Sequence, residues 1–193
     1  MREAIRAIRV TLILWLLTAL IYPLLILLVG QVFFPFQANG SLLKNQQGQV
    51  VGSALIGQSF SSDEYFISRP SAVNYSEGKD ALPTGISGAS NLAPSNPELV
   101  KRVQATAQQL QTANIQPTAD LVYASASGLD PHISVASAYA QAPGVAAARS
   151  LSVDLVQALI PRYTNGRFLG IVGEPGVNVL QLNLALDNLK SPS

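Results

Sequence analysis

Several groups of residues have the types and spacing to do chemistry. Ser76-Glu-Gly-Lys79 has the Ser-x-x-Lys spacing that sets a lysine against a serine nucleophile in penicillin-binding enzymes. That geometry needs a helix, but Gly78 lies in a loop-rich stretch and no Lys-Thr-Gly follows. Ser125, Ser127 and Asp130 lie close in sequence to His132, the single histidine and so the one imidazole base available. No Gly-x-Ser-x-Gly turn accompanies them, so the expected role of His132 is a loop side chain held by local hydrogen bonds. Asp130 and His132 alone supply too few ligands for a metal. Arg69 can grip a carboxylate with two parallel hydrogen bonds, most simply as an internal ion pair. Asp63, Glu64, Glu77 and Asp80 are scattered acids, suited to a cation-attracting surface or to solvated loops. Neither Gly-x-x-x-x-Gly-Lys-[Ser/Thr] nor Gly-x-Gly-x-x-Gly occurs, which excludes a P-loop or Rossmann nucleotide site.

Composition narrows the field further. Twelve basic and eleven acidic side chains nearly cancel, which excludes attachment to nucleic acid by bulk electrostatics. Without cysteine there are no disulfides, iron–sulfur clusters or thiolate zinc sites. One histidine excludes any site that needs two imidazoles. The 193 residues suffice for one domain with a sizeable core plus an appendage.

The appendage is at the N-terminus. Arg2, Arg6 and Arg9 precede a stretch, 10–43, without a charged residue. Its apolar core supplies the roughly 20 helical residues that a bilayer interior requires. The run is too long for a signal peptide and ends in Phe33-Phe-Pro-Phe-Gln37 rather than Ala-x-Ala, so it is expected to stay as an anchor. Pro23 inside it is tolerable in a membrane helix. With no ionisable residue inside, the helix is no proton relay or ion ligand, and one helix cannot enclose a pore. The basic N-terminus predicts a cytoplasmic tail at 1–9, a transmembrane helix at 10–36 and an extracytoplasmic domain at 37–193.

That domain reads as α+β, with helices and strands interspersed. Strands are expected at Gln49-Val-Val-Gly-Ser-Ala-Leu-Ile56, Tyr65-Phe-Ile-Ser-Arg69, Ala119-Asp-Leu-Val-Tyr-Ala124, Arg167-Phe-Leu-Gly-Ile-Val172 and Val177-Asn-Val-Leu-Gln-Leu182. Residues 71–94 form a long Ser/Gly/Asn/Pro-rich loop. Asn96 caps a helix that begins with Pro97 and Glu98 and runs to about Ala113. Pro143-Gly144 separates two short helices at 134–139 and 145–149. Ser152 caps another that runs through Ile160 to Pro161.

Four segments then resemble one family, the C subunit of the bacterial Kdp potassium-transporting ATPase. They are Tyr65-Phe-Ile-Ser-Arg-Pro-Ser-Ala72, Ser87-Gly-Ala-Ser-Asn-Leu-Ala-Pro-Ser-Asn-Pro97, Ala124-Ser-Ala-Ser-Gly-Leu-Asp-Pro-His-Ile-Ser134 and Gly173-Glu-Pro-Gly-Val-Asn-Val-Leu-Gln-Leu-Asn-Leu-Ala-Leu-Asp187. With the anchor in place, the resemblance spans nearly the whole chain. It implies a non-catalytic, single-pass inner-membrane subunit without a metal site. The implied partners are a channel-like potassium-binding subunit, a P-type ATPase subunit and a small peptide subunit. The chain has neither Asp-Lys-Thr-Gly nor a Thr-Val-Gly-Tyr-Gly-like filter, so it is neither motor nor pore.

The family is described as a catalytic chaperone that raises ATP affinity, and Gln141 matches a glutamine linked to nucleotide contact. The predicted topology puts Gln141 across the bilayer from ATP, so such an effect would pass through the complex as a coupling free energy. Other positions carried by the resemblance are Arg69, Pro70, Ser90, Asn91, Ser125, Ser127, Gly128, Asp130, Pro131, Asn178 and Asn183. Gly144 and Gly176 stand where the family leads one to expect a larger, often basic residue. Two other readings compete with the resemblance. One is an anchored periplasmic serine hydrolase using Ser76 and Lys79, or Ser127 and His132. The other is an anchored binding module unrelated to transport.

Overall fold

The uncharged run after Arg9 folds as part of a long helical rod. In the computed structural model, which describes residues 1–73, 75 and 88–189, the chain divides into two units, Met1–Leu42 and Leu43–Ser193. The first unit holds α1 (Arg2–Leu16), one π-helical turn (Leu17–Ile21) and α2 (Tyr22–Phe33), followed by the short α3 (Pro35–Ala38). Arg2–Phe33 is a single span of 32 residues, long and apolar enough to cross a membrane. The helix therefore starts ahead of the apolar run and takes in the three arginines.

Pro23 has no N–H, and its ring crowds the carbonyl four residues back. The rod widens there: Tyr22 N–H donates five residues back, to Leu17 O, a π-type bond that takes up the mismatch. Thr18 Oγ1 donates to Leu14 O at 2.8 Å in the same region.

The second unit mixes helices and strands. β1 (Leu42–Lys44) and β2 (Val50–Ser53) form a two-stranded sheet. The left-handed Gly48 (φ 77°) closes the turn between them. Then come α4 (Pro97–Thr112), the single turn α5 (Ala119–Val122), β3 (His132–Ser134), α6 (Val135–Arg149) and α7 (Val153–Leu159). A 3₁₀ turn (Ile160–Tyr163) leads to β4 (Thr164–Asn165), β5 (Gly176–Asn178) and α8 (Val179–Leu189). The second sheet has the order β3-β5-β4, with both pairings antiparallel, and sets Ile133 opposite Val177. Those two side chains, with Val156, Ile160, Leu182 and Leu186, are buried in one core. Each such side chain contributes roughly 1.5–3 kcal/mol on burial.

Helix caps follow the sequence. Asn96 Oδ1 accepts from Glu98 N–H at 2.8 Å, and Ser152 Oγ accepts from Leu155 N–H at 3.3 Å. Other expectations are overturned. Residues 134–149 do not break at Pro143: α6 runs through it, capped by Ser134, with Pro143 and Gly144 on its exposed face. There, water can serve the carbonyl that the missing N–H leaves bare, while Ala138, Ala142, Val145 and Ala146 keep the other face buried.

Ala119-Asp-Leu-Val122 is a helical turn, not a strand. The segment at 177–182 is strand only to Asn178, whose Oδ1 accepts from Gln181 N–H at 3.0 Å and starts α8. Arg167-Phe-Leu-Gly-Ile-Val172 is a tight turn with one bridge, Phe168 to Val172. The expected strand at 49–56 is shorter, and Tyr65-Phe-Ile-Ser-Arg69 is not a strand: its backbone pairs with side chains. Much of the expected loop at 71–94, including Ser76, Glu77, Lys79 and Asp80, lies outside the described residues.

Candidate functional site

Three of the four resemblance segments meet in the second unit around the backbone of residues 65–72. Phe66 N–H donates to Asn183 Oδ1 at 2.9 Å, and Asn183 Nδ2 donates to Phe66 O at 3.0 Å. One residue on, Ile67 N–H donates to Gln141 Oε1 at 2.8 Å, and Gln141 Nε2 reaches Ile67 O at 3.4 Å. Two side-chain amides thus do what a neighbouring strand would do, satisfying both polar groups of two successive residues. Gln141 is delivered by α6 and Asn183 by α8, and each is 1% exposed.

Beside this clamp lies a buried cation. Arg149 closes α6, with its guanidinium 4.7 Å from the centre of the Tyr65 ring. Its Nη2 donates to Asp187 Oδ1 at 2.8 Å and its Nε to Glu64 O. Tyr65 OH donates to Asp187 Oδ2 at 3.2 Å. Burial pushes the Tyr65 phenol up, the Asp187 charge adds to this, and Arg149 opposes it.

The other end of the segment packs on 124–131. Arg69 Nη1 pairs with Asp130 Oδ2 at 2.8 Å, the internal ion pair expected of it. Ser125 N–H donates to Pro70 O at 2.7 Å, and Ala72 N–H donates to Ser125 O at 2.8 Å. Ser71 Oγ donates to Ser127 O at 3.1 Å. Gly128 is buried, and Pro131 O accepts from Val179 N–H at 3.1 Å. Asn178 Nδ2 donates to Ala54 O at 2.8 Å, tying β5 to the end of β2. Ser90 and Asn91 are exposed ahead of α4, Asn91 with φ 52°.

A polar cleft of about 230 Å³ opens beside the ion pair, lined by Arg69, Asp120, Asp130, His132, Ser134 and Glu174 among others. Burial alone would raise the Asp120 carboxyl. Hydrogen bonds from Ser137 Oγ and from the Ser134 amide and hydroxyl outweigh it and hold the group below its ordinary value. His132 is not the locally bonded loop side chain expected: it opens β3 and is held by Asn165 of β4, Nδ2 to Nε2 at 2.8 Å, across 33 residues of chain. Burial lowers its pKa and the Asp130 charge partly restores it. Gly176 faces His132 so closely that a Cβ there would lie 3.1 Å from the histidine Cβ.

As chemistry, these groups position backbone more than they offer reagents. The Ser127 oxygen accepts from Leu129 N–H at 3.0 Å, and His132 Nε2 is engaged by Asn165. Among the described residues, no group of three or more His, Cys, Asp or Glu could hold a metal ion.

Gln141 also lines a cleft of about 260 Å³ with Asp63, Tyr65, Ile67 and Gly144, whose missing side chain leaves open space. The lining of that cleft contains one carboxylate and no cation. It does not fit a triphosphate, and the Gln141 amide already serves Ile67.

Reading the sequence missed Arg149, Asp187 and Asp120. Arg149 and Asp187 are 38 residues apart, and no local pattern announces such a pair.

This geometry can be set beside known proteins. The family described as "KdpC: K+-transporting ATPase, c chain" matches residues 4–188. The potassium-transporting ATPase KdpC subunit of Synechocystis sp. is 65% identical over 97% of this chain and 98% of its own length. The counterpart from Anabaena sp. is 61% identical over 96% and 93%, and that from Methylococcus capsulatus 49% over 93% and 94%. The matched range takes in both the long apolar helix and the second unit, and the chain belongs to the KdpC family, the c chain of K+-transporting ATPases.

Proposed function

We propose that this chain is the accessory, non-catalytic subunit of a high-affinity, ATP-driven potassium uptake complex, needed for assembly and for coupling within it. The observation that carries this reading is the family match along 4–188, because it includes the long helix and the outer domain in one piece. The partners are a channel-like potassium-binding subunit, a P-type ATPase subunit and a small peptide subunit. They supply the ion path and the motor, for which this sequence has no motif. Residues 1–9 lie in the cytoplasm, 10–36 cross the inner membrane and 37–193 lie outside.

In that orientation any effect on ATP affinity is a coupling free energy passed through the assembly, not a contact with Gln141. Gln141 and Asn183 act as positioning residues that fix the Tyr65-Phe-Ile-Ser-Arg69 backbone, and Arg69–Asp130 with Pro70, Ser125 and Ser127 fixes the segment after it.

Deleting the gene tests the role. Loss of a stable complex and of potassium-driven ATPase activity is expected, and an intact, fully active complex would refute it. A reporter fused to the C-terminus tests the orientation, with activity expected only from a reporter that works outside the cytoplasm.

A further inference from the structure

The long helix is two-faced where it begins. At about 3.6 residues per turn, Arg2, Arg6, Arg9, Ile13 and Leu16 fall within about 80° of its circumference and form one stripe along α1. Thr11 and Trp15 lie on the other side. The stripe changes character along its length, from three arginines to aliphatic side chains. All five residues are exposed, Ile13 at 58% and Leu16 at 44%.

Most of the charge on the stripe is uncompensated. Glu3 pairs with Arg6 at 2.7 Å, and both side chains are in solvent. Among the described residues, Arg2 and Arg9 form no ion pair. Arg9 adjoins the uncharged run. When the helix crosses a membrane, all three arginines therefore stand within about 12 Å of the hydrocarbon edge, at the level of the lipid phosphates.

We propose that this stripe is a binding site for an anionic phospholipid, with the headgroup held by Arg2, Arg6 and Arg9 and the acyl chains laid along Ile13 and Leu16. This rests on the membrane-spanning reading of the helix and adds a ligand class to it. Charge at one end and hydrocarbon along the rest match the head and tails of a single phospholipid molecule. Guanidinium groups grip phosphate oxygens in pairs, and basic side chains beside a span favour anionic over zwitterionic lipid. Free phosphate would meet the arginines but leave Ile13 and Leu16 uncovered. Glu3 draws on Arg6, so it weakens the site.

The chain's one tryptophan, Trp15, lies off the stripe and supplies the probe. In the full chain, Trp15→Phe combined with Leu16→Trp moves the sole indole onto the stripe, and the wild type keeps it on the other side. Both chains are reconstituted in phosphatidylcholine vesicles that hold the same fraction of either brominated phosphatidylglycerol or brominated phosphatidylcholine. Bromine quenches the indole on contact. With the indole at position 16, the anionic lipid is expected to quench at least about threefold more strongly than the zwitterionic one. At position 15 the two should quench alike. Arg2→Gln with Arg9→Gln should abolish the preference at position 16, and Glu3→Gln should raise it.

Equal quenching by the two lipids at position 16, or the same preference at positions 15 and 16, overturns the lipid site and leaves the membrane reading standing. No quenching by either lipid at either position overturns the membrane reading and the site with it. In the chain co-expressed with the other ATPase subunits, a photo-crosslinking amino acid at position 13 is expected to label phospholipid. Labelling of another subunit alone, or of a second copy of this chain alone, overturns the proposal.

Discussion

Asn183 holds both backbone polar atoms of Phe66, at 2.9 and 3.0 Å, across 117 residues of chain. Phe66 is fully buried, so water cannot replace either bond. Asn183→Ala is expected to cost about 2–6 kcal/mol, since each of the two orphaned buried groups costs about 1–3. Asn183→Leu fills the space yet leaves the peptide unpaired, so it should not restore stability. Denaturant midpoints of the detergent-solubilised chain, followed by circular dichroism, check both. Recovery with Leu would mean that packing rather than hydrogen bonding is at stake.

Gln141 makes the matching contact to Ile67, and this separates a positioning role from a nucleotide ligand. Gln141→Ala should lower the stability of the chain alone, with no nucleotide present, by about 1–3 kcal/mol. A residue acting only as a ligand would leave the nucleotide-free midpoint where it was. The thermal midpoint of the isolated chain decides between these.

What could be read locally in the sequence has local causes. Asn96 and Ser152 cap helices by bonding to an amide two or three residues on, and Pro97 sits where its missing N–H does no harm. The start of α8 was legible too: Asn178-Val-Leu-Gln181 is a capping-box pattern, but the alternation of Val177 and Val179 suggested a strand. Pro143 misled because the burial of its helix, not its own preference, sets the outcome. The clamp was hidden for a different reason. Gln141 meets Ile67 across 74 residues, and the extended segment has no strand partner whose pattern would betray it. Gln141 and Asn183 were visible through the resemblance, but the backbone contacts they make were not.

Arg149 gives a third prediction. Its side chain is fully buried, while Asp187 keeps 44% exposure. Asp187→Asn removes the countercharge but leaves Glu64 O and the Tyr65 ring, so the expected loss is about 1.5–3 kcal/mol, below that of a wholly buried pair because solvent reaches the carboxylate. Arg149→Lys should be nearly as damaging as Arg149→Met, since one ammonium cannot reach Glu64 O, Asp187 and the ring face at once. Arg69→Lys, at a pair that is partly exposed on both sides, should cost less than about 1 kcal/mol. Unfolding midpoints of the four substitutions test this ranking, and rescue by Arg149→Lys would refute the three-point grip.

Acid should weaken the second unit in two separate steps. His132 has an ordinary value of 6.5, lowered in the fold by burial. Between those two values the unfolded chain binds more protons than the folded one, so stability falls as pH drops through 6.5 and levels off below the folded value. Asp120 is held below its ordinary 3.8 by Ser137 and Ser134, against the opposing effect of burial. Its contribution is complete above 3.8 and is lost as pH falls through the lower folded value. His132→Gln should abolish the first step and leave the second, and Asp120→Asn should do the reverse at a cost in stability at neutral pH. Urea midpoints measured from about pH 7 down to about pH 3 resolve the two steps. A wild-type midpoint that stays flat between about pH 7 and 5 would show that the histidine is solvated instead of buried against Asn165 and Gly176.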